Sequence, residues 1–166
     1  MKVAELLSSL SEGQALYVLL GGIAVQLHRY MRSAFDINLV LAMNDENLVR
    51  FIEVAKRFGL IPTILVPIDS LRNTDQIEQW YPEKGMLALA LREPQIGGSV
   101  VDILVRSDVT YEQLKKNAIA GELFSQRVWI AYIDDLLTMK RVENRSKDRL
   151  DIEALEKIKR GEDPND

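Results

Sequence analysis

Short apolar runs, each bounded by glycine, proline or polar residues, constrain this sequence most, because they have the length of buried β-strands. The first is the run 17–20, and residues 35–41, 86–91, 100–105 and 128–133 form the others. The segments between them place apolar residues at helical spacing. Strands that alternate with helices in this way predict an α/β (α+β) domain, in which a mixed β-sheet is flanked by helices.

Capping and breaking residues locate several other elements. A helix is expected to begin after Asn44, a favourable N-cap, and to end at Gly59, which suits the left-handed turn after a helix. Thr110 and Gln113 form a capping-box pair at the start of a shorter helix. Residues 61–67 contain two prolines, so we expect an edge strand or an extended connection there.

Two helices are predicted at the C-terminal end. Asp134 or Asp135 is expected to cap the first, and Ser146 the second, because their side-chain oxygens can accept from the free N–H groups of a first turn. The apolar face of the second helix would hold Leu150, Ala154, Leu155 and Ile158. We expect these helices to be appended to the sheet domain.

The length and composition are those of one folded domain. The chain has 166 residues, of which 47% are apolar and 28% are charged. We expect a sheet domain over residues 1–133, helices over residues 134–160 packed on it, and a disordered acidic tail over residues 161–166. No linker rich in proline, glycine and serine separates these parts.

The charge balance and the residue types exclude several functions. Acidic residues outnumber basic ones by 25 to 21, and three of the acids lie in the last six residues, so the body of the chain is nearly neutral. A duplex-DNA partner is not expected, because phosphate contacts need a clear cationic surplus. The absence of cysteine and the single histidine exclude disulfide frameworks and multi-histidine zinc sites. No apolar run is long enough to cross a membrane, and a cytoplasmic location is expected.

The chemistry-bearing residues concentrate around the first two strands. The first strand ends at Gly21 and Gly22, where a phosphate group could approach the backbone closely at the start of a helix. Asp36 and Asn38 are two residues apart in the next strand, so they point to the same face. Asp102 lies inside an apolar strand, where a carboxylate is costly unless it is paired or binds a cation. A plain tight turn and solvent-facing acids are the alternatives.

The order of these residues resembles the nucleotidyltransferase fold of the DNA polymerase β superfamily, and in particular its AbiEii-like and related bacterial branches. Those sequences show a glycine pair at a helix start, a following Leu-His, an Arg before an acidic strand, and a Lys-Asp-x-x-Asp segment near the C-terminus. The matching residues here are Gly21, Gly22, Ala24, Leu27, His28, Arg32 and Asp36, followed by Lys140, Arg145, Lys147, Asp148 and Asp151.

The resemblance implies a Mg²⁺-dependent site for a nucleoside triphosphate and a hydroxyl acceptor. Asp36, Asn38 and Asp102 would be the catalytic residues and the metal ligands. The nucleotide would be bound by Gly21, Gly22, Arg32, Ser33, Lys140, Arg145 and Lys147. Asp36 and Asp102 should then lie within a few ångströms of each other in one cleft, bordered by lysines. For the three C-terminal cations, ion pairing with acids of the same helices is the open alternative.

Two departures from the family pattern bear on activity. Asn38 stands where the family has a second aspartate, and Arg29 stands where a glycine is frequent. An amide oxygen can bind Mg²⁺ but carries no negative charge. We therefore predict a nucleotidyltransferase-family protein that binds Mg-nucleotide and transfers a nucleotidyl group weakly or not at all. The alternative is a degenerate protein that acts as a protein-interaction or toxin–antitoxin component, with a partner protein encoded nearby. His28 is expected to pack and hydrogen-bond locally.

Overall fold

The computed structural model describes residues 3–30, 36–106, 108–123 and 125–166. In these ranges the strands are β1 (Tyr17–Leu20), β2 (Ile37–Leu41), β3 (Ile61–Pro62), β4 (Ala88–Arg92), β5 (Val100–Leu104), β6 (Ile119–Leu123) and β7 (Gln126–Ile130). The helices are α1 (Val3–Glu12), α2 (Gly21–Leu27), α3 (Asp45–Arg57), α4 (Thr74–Lys84), α5 (Tyr111–Asn117), α6 (Ile133–Glu143) and α7 (Asp148–Lys159), and a 3-10 turn covers Ile68–Arg72.

All of these strands join one mixed sheet in the order β3-β4-β5-β2-β1-β7-β6. β1 pairs antiparallel with β2, whereas β2 runs parallel to β5, and β1 runs parallel to β7. The remaining pairs, β3 with β4, β4 with β5 and β6 with β7, are antiparallel. The predicted mixed α/β architecture is therefore confirmed. Within the same ranges, no helix is apolar over enough of its length to span a bilayer.

The two central strands explain why one face of the sheet is core and the other is open to a cleft. In β5, Val101 and Ile103 are fully buried, whereas Asp102 and Leu104, which alternate with them, are only partly buried. In β2, Asn38 is likewise partly buried between two fully buried neighbours. Because successive side chains of a strand point to opposite faces, the polar residues lie together on the open face.

The helix α3 follows its sequence signals closely. Asn44 caps it by accepting from the backbone N–H of Asn47 at 2.9 Å, and Gly59 follows its end with a φ of 68°. Asn47 is itself buried, and its amide bonds the backbone N–H and C=O of Leu16 and the C=O of Ala42. These bonds attach the first turn of α3 to the outer ends of β1 and β2. The capping box of Thr110 at α5 is also confirmed.

The C-terminal caps were predicted wrongly. Tyr132 occupies the N-cap position of α6, so Asp134 and Asp135 lie inside its first turn, where acids favour the helix dipole. Lys147 occupies the N-cap position of α7, and Ser146 makes no cap there. The expected apolar face also shifts, because Leu150 is 65% exposed.

Two further differences concern the edges of the sheet and the tail. β6 was not predicted, because its five residues are mostly exposed and lack a clear apolar alternation. The stretch 61–67 does supply the edge strand β3, but only two of its residues pair. In the tail, Asn165 Nδ2 donates to the carbonyl of Arg29 at 3.1 Å. The division into parts at residues 133 and 160 stays a prediction.

Candidate functional site

The strand register brings three oxygen-bearing side chains to one place. Asn38 in β2 lies opposite Asp102 in β5, and it also lies opposite Leu20, the last residue of β1. Asp36 precedes Asn38 by two residues and therefore shares its face. Gly21 follows Leu20 directly, so the turn into α2 stands beside the same group. Residues far apart in the chain thus meet on one side of the sheet.

Gly21 is required at this turn for two reasons. Its φ is 64°, in the left-handed region that residues with a side chain rarely adopt. A Cβ atom at this position would lie 2.5 Å from Nδ2 and 2.8 Å from Cγ of Asn38, which is closer than such atoms approach. The side chain of Asn38 therefore packs against the bare backbone of the turn. Gly22 follows as the second residue of α2.

The three oxygen-bearing groups have no protein partner among the described residues. The structure records neither a hydrogen bond nor an ion pair for the side chains of Asp36, Asn38 and Asp102. Burial raises the pKa of Asp102, the nearby Asp36 carboxylate raises it further, and Lys147 lowers it. Two nearby carboxylates that form no ion pair are an arrangement that a bound cation would stabilise.

A cavity of about 150 Å³ opens beside these groups, between the sheet and α6. Its sheet side includes Gly21, Asn38 and Asp102, and then Ala88 and Leu104 toward β4. Its helix side includes Leu136, Met139, Lys140 and Glu143 of α6, followed by Arg145. The cavity therefore has a polar end at the carboxylates and an apolar part beyond them.

Two of the predicted nucleotide-binding cations are engaged in ion pairs. Lys140 is buried, and its Nζ lies 2.9 Å from the carboxylate of Asp151 and 3.5 Å from that of Asp148. Arg145 donates to Asp148, with its Nε 2.9 Å from Oδ2, and also pairs with Glu143. The sequence left ion pairing within the same helices open, and the contacts of Lys140 differ from it because they are buried and join α6 to α7.

Lys147 differs from these two cations. It is exposed, and no ion pair is recorded for it with any described residue. It nevertheless lies near enough to Asp102 to lower the pKa of that carboxyl. Lys147 is therefore the predicted C-terminal cation whose charge faces the carboxylate group. Arg32 and Ser33, the remaining predicted nucleotide-binding residues, lie outside the described residues.

His28 has a local role, as expected. It is buried, and its Nε2–H donates to the carbonyl of Ala131 at 2.9 Å. Burial lowers the pKa of the imidazole, and the bond to Ala131 offsets this in part. The ring is thus a neutral packing residue that ties the end of α2 to the segment after β7.

Sequence reasoning missed Arg106 and its partners. Its side chain is 1% exposed, and it pairs with Asp108 at 2.7 Å and with Glu143 at 3.2 Å. The guanidinium also lies 5.6 Å from the ring centroid of Tyr81. Arg106 follows Val105, just after β5, and this position at the end of an apolar run is the only sequence signal that its charge is buried. Glu143 therefore faces the cavity with both neighbouring cations already bound to it.

Across the described ranges, no group of three or more His, Cys, Asp or Glu side chains is placed to hold a metal ion. Among the described residues, the cluster beside Gly21 has only two carboxylates, those of Asp36 and Asp102, because its third oxygen-bearing group is the amide of Asn38. No protein-family model matches the chain, and no curated protein matches it in sequence.

Two solved structures share the fold over nearly the whole chain. One is LnuA, a lincosamide antibiotic adenylyltransferase with lincomycin bound, at a TM-score of 0.60 and 14% identity, covering 94% of this chain and 95% of that chain. The other is ANT(2″)-Ia in complex with adenylyl-2″-tobramycin, at a TM-score of 0.58 and 11% identity, covering 96% and 93%. At such identities the likeness concerns architecture alone. The expected nucleotidyltransferase-like fold is confirmed, and the AbiEii-like branch stays a prediction.

Proposed function

We propose that this protein transfers a nucleotidyl group from a nucleoside triphosphate to a hydroxyl group of a small molecule, using Mg²⁺ at Asp36, Asn38 and Asp102. The observation that carries the proposal is the meeting of these three side chains, without protein partners, beside the glycine turn at Gly21. The two structural neighbours support it, since LnuA is an adenylyltransferase and ANT(2″)-Ia holds an adenylylated antibiotic.

The residues present suit Mg²⁺ by their chemistry. Two carboxylates and an amide are hard oxygen ligands, and their charge of two balances one divalent ion. When bound, Mg²⁺ would draw negative charge from the phosphate oxygens and favour attack by a hydroxyl oxygen on the α-phosphorus, with loss of pyrophosphate. The bare backbone at Gly21 would let a phosphate group approach, and Lys147 would add positive charge beside Asp102.

Replacing Asp102 with asparagine is expected to abolish nucleotide binding and to stabilise the free protein. Thermal unfolding would be followed with ATP, GTP, CTP and UTP, each with and without Mg²⁺. One Mg-nucleotide at about 100 times its Kd should add about 2.7 kcal/mol to the free energy of unfolding of the native protein. The Asp102→Asn variant should show no such gain, because a charged metal ligand is lost.

The stabilisation of the free variant follows from the sign of the pKa shift. Burial and Asp36 raise the pKa of Asp102, so ionisation of this carboxyl is less favourable in the folded state than in the unfolded state. This cost is present above the raised pKa and is relieved as the pH falls toward the unfolded value. The variant should therefore melt higher than the native protein near pH 7 and lose that advantage in acid. The control is Asp69→Asn, an exposed residue paired with Lys56. Equal nucleotide responses in both variants would contradict the proposed site.

Nucleotide binding without turnover is the second candidate function, and Asn38 is the observation that favours it. An amide in place of a carboxylate weakens the attraction for a second divalent ion. Under this candidate, the native protein binds Mg-nucleotide but releases no pyrophosphate with any acceptor, and Asn38→Asp creates measurable transfer of a labelled α-phosphate. Transfer by the native protein would exclude it. A toxin–antitoxin role with a partner protein stays a prediction of the sequence resemblance.

A further inference from the structure

The cavity continues beyond the carboxylates on the side away from the glycine turn. The sheet order places β1 on one side of β2, and β5 and then β4 on the other. Gly21, which follows the end of β1, therefore lies on one side of the metal group, and Leu104 and Ala88 lie on the other. These two residues are paired across β5 and β4. In an in-line displacement, the attacking and leaving oxygens lie on opposite sides of the phosphorus. With phosphates at Gly21, the attacking hydroxyl comes from the side of β4 and β5.

That side of the cavity is apolar. Leu87, Ala88 and Leu104 line it from the sheet, and each is partly exposed to the cavity rather than sealed in the core. Leu136 and Met139 line the cavity from the side of α6. An acceptor that enters here exchanges water for contact with hydrocarbon, which favours apolar groups.

The charged residues at the cavity wall are already compensated. Lys140 pairs with Asp148 and Asp151. Glu143 pairs with Arg106 and Arg145. Among the described residues that line the cavity, Asp102 of the proposed metal group is the acid without an ion pair. With Mg²⁺ held by that group, a protonated amine entering the cavity would lose its hydration without gaining a free carboxylate.

We propose that the acceptor is an uncharged molecule whose hydroxyl group is carried on an apolar, ring-sized part, and that polycationic acceptors are disfavoured. The inference rests on the proposed function and adds the substrate class to it. The size follows from the cavity of about 150 Å³, because an apolar cavity of roughly that volume accommodates a benzene ring. Tobramycin, which carries several protonated amines at neutral pH, is expected not to bind.

Benzyl alcohol and benzylamine are a matched pair of probes for this proposal. They have nearly the same shape, but only the amine is charged at neutral pH. Binding would be followed through backbone amide chemical shifts of the native protein in the presence of Mg²⁺ and without nucleotide. We expect benzyl alcohol to shift the signals of Ala88 and Leu104 saturably, and benzylamine to bind about tenfold more weakly or worse. Preference for benzylamine, or no shift at these residues with either probe, would overturn the proposal.

Two isosteric variants of Leu104 separate apolar contact from charge. Leu104→Asn removes the apolar contact without adding charge, so the binding of benzyl alcohol should weaken and the binding of benzylamine should stay weak. Leu104→Asp adds an unpaired carboxylate, so it should reverse the preference toward benzylamine. Ala88→Asp, on the neighbouring strand, is the second variant should Leu104→Asp unfold. A preference that stays the same with a new carboxylate at either position would contradict the assignment of the cavity.

The result with benzyl alcohol and benzylamine does not depend on nucleotide binding. If the Mg-nucleotide response fails while benzyl alcohol binds, the nucleotidyl-transfer proposal fails and the apolar cavity stands. If the nucleotide response is present while benzylamine is preferred, the transfer proposal stands and the acceptor class is wrong.

Discussion

Replacing Lys140 with methionine is expected to lower the free energy of unfolding by about 3–5 kcal/mol. The ammonium of Lys140 is buried between the carboxylates of Asp148 and Asp151, which are themselves 2% and 3% exposed. Methionine keeps the apolar stem but removes the charge that stabilises both acids. Asp148 still has Arg145 after this replacement. Urea denaturation of the two proteins at pH 7 measures the difference.

Lys159 provides the matched control. Its Nζ lies 2.6 Å from Asp134, but both side chains are about half exposed, at 49% and 55%. Exposed pairs contribute about 0–1 kcal/mol, so Lys159→Met should change the stability little. The double variant Lys140→Met with Asp151→Leu should recover part of the loss, because the charge of Asp151 is then removed together with that of Lys140. If Lys140→Met lowers the free energy of unfolding no more than Lys159→Met does, the buried ion pairs do not stabilise the fold.

Replacing Gly21 with alanine should destabilise the protein by about 2–4 kcal/mol and remove its response to Mg-nucleotide. The new Cβ occupies a left-handed backbone position and meets the amide of Asn38 at 2.5 Å. Since Asn38 is held in place by its strand, the turn itself must move. The displaced turn no longer presents a bare backbone beside the carboxylates. Thermal unfolding with and without Mg-nucleotide measures both effects.

Alanine variants at Gly59 and Gly85 separate the cost of a left-handed backbone from the cost of the contact between Cβ and Asn38. The two glycines have φ values of 68° and 62°, close to that of Gly21, but a Cβ added to either meets nothing within 4 Å. Alanine at these positions should cost only about 1–2 kcal/mol, and it should leave the nucleotide response unchanged. Asn38→Ala combined with Gly21→Ala should recover the excess loss of stability. An equal loss at all three glycines would show that the contact with Asn38 is unimportant.

The sequence predicted those features that local chemistry determines. The helix α3, its Asn44 cap and the capping box at Thr110 follow from hydrogen bonds within one turn, and the short apolar runs became strands. The grouping of Asp36 with Asp102 came from the family resemblance rather than from spacing. The structural basis of that grouping is the parallel pairing of β2 with β5 across more than 60 residues of chain.

Long-range partners explain what the sequence could not predict. Asp148 and Asp151 look like surface acids of a helix, and their burial depends on the lysine of a neighbouring helix. Arg106 likewise reads as the polar end of a strand until Glu143 is placed beside it. β6 is a mostly exposed edge whose pairing with β7, rather than its own residues, makes it a strand.

The position of Asp102 also bears on how the chain finds its strand pairing during folding. Val101 and Ile103, on either side of it, are fully buried. A slip of β5 by one residue against β2 would turn the carboxylate into this apolar layer and bring two hydrocarbon side chains out to the cleft. Parallel strands joined by a long connection pair slowly and can sample such slipped arrangements. A charged residue in the middle of an otherwise apolar strand makes each one-residue slip unfavourable, so the carboxylate contributes to the accuracy of folding even before any ligand binds.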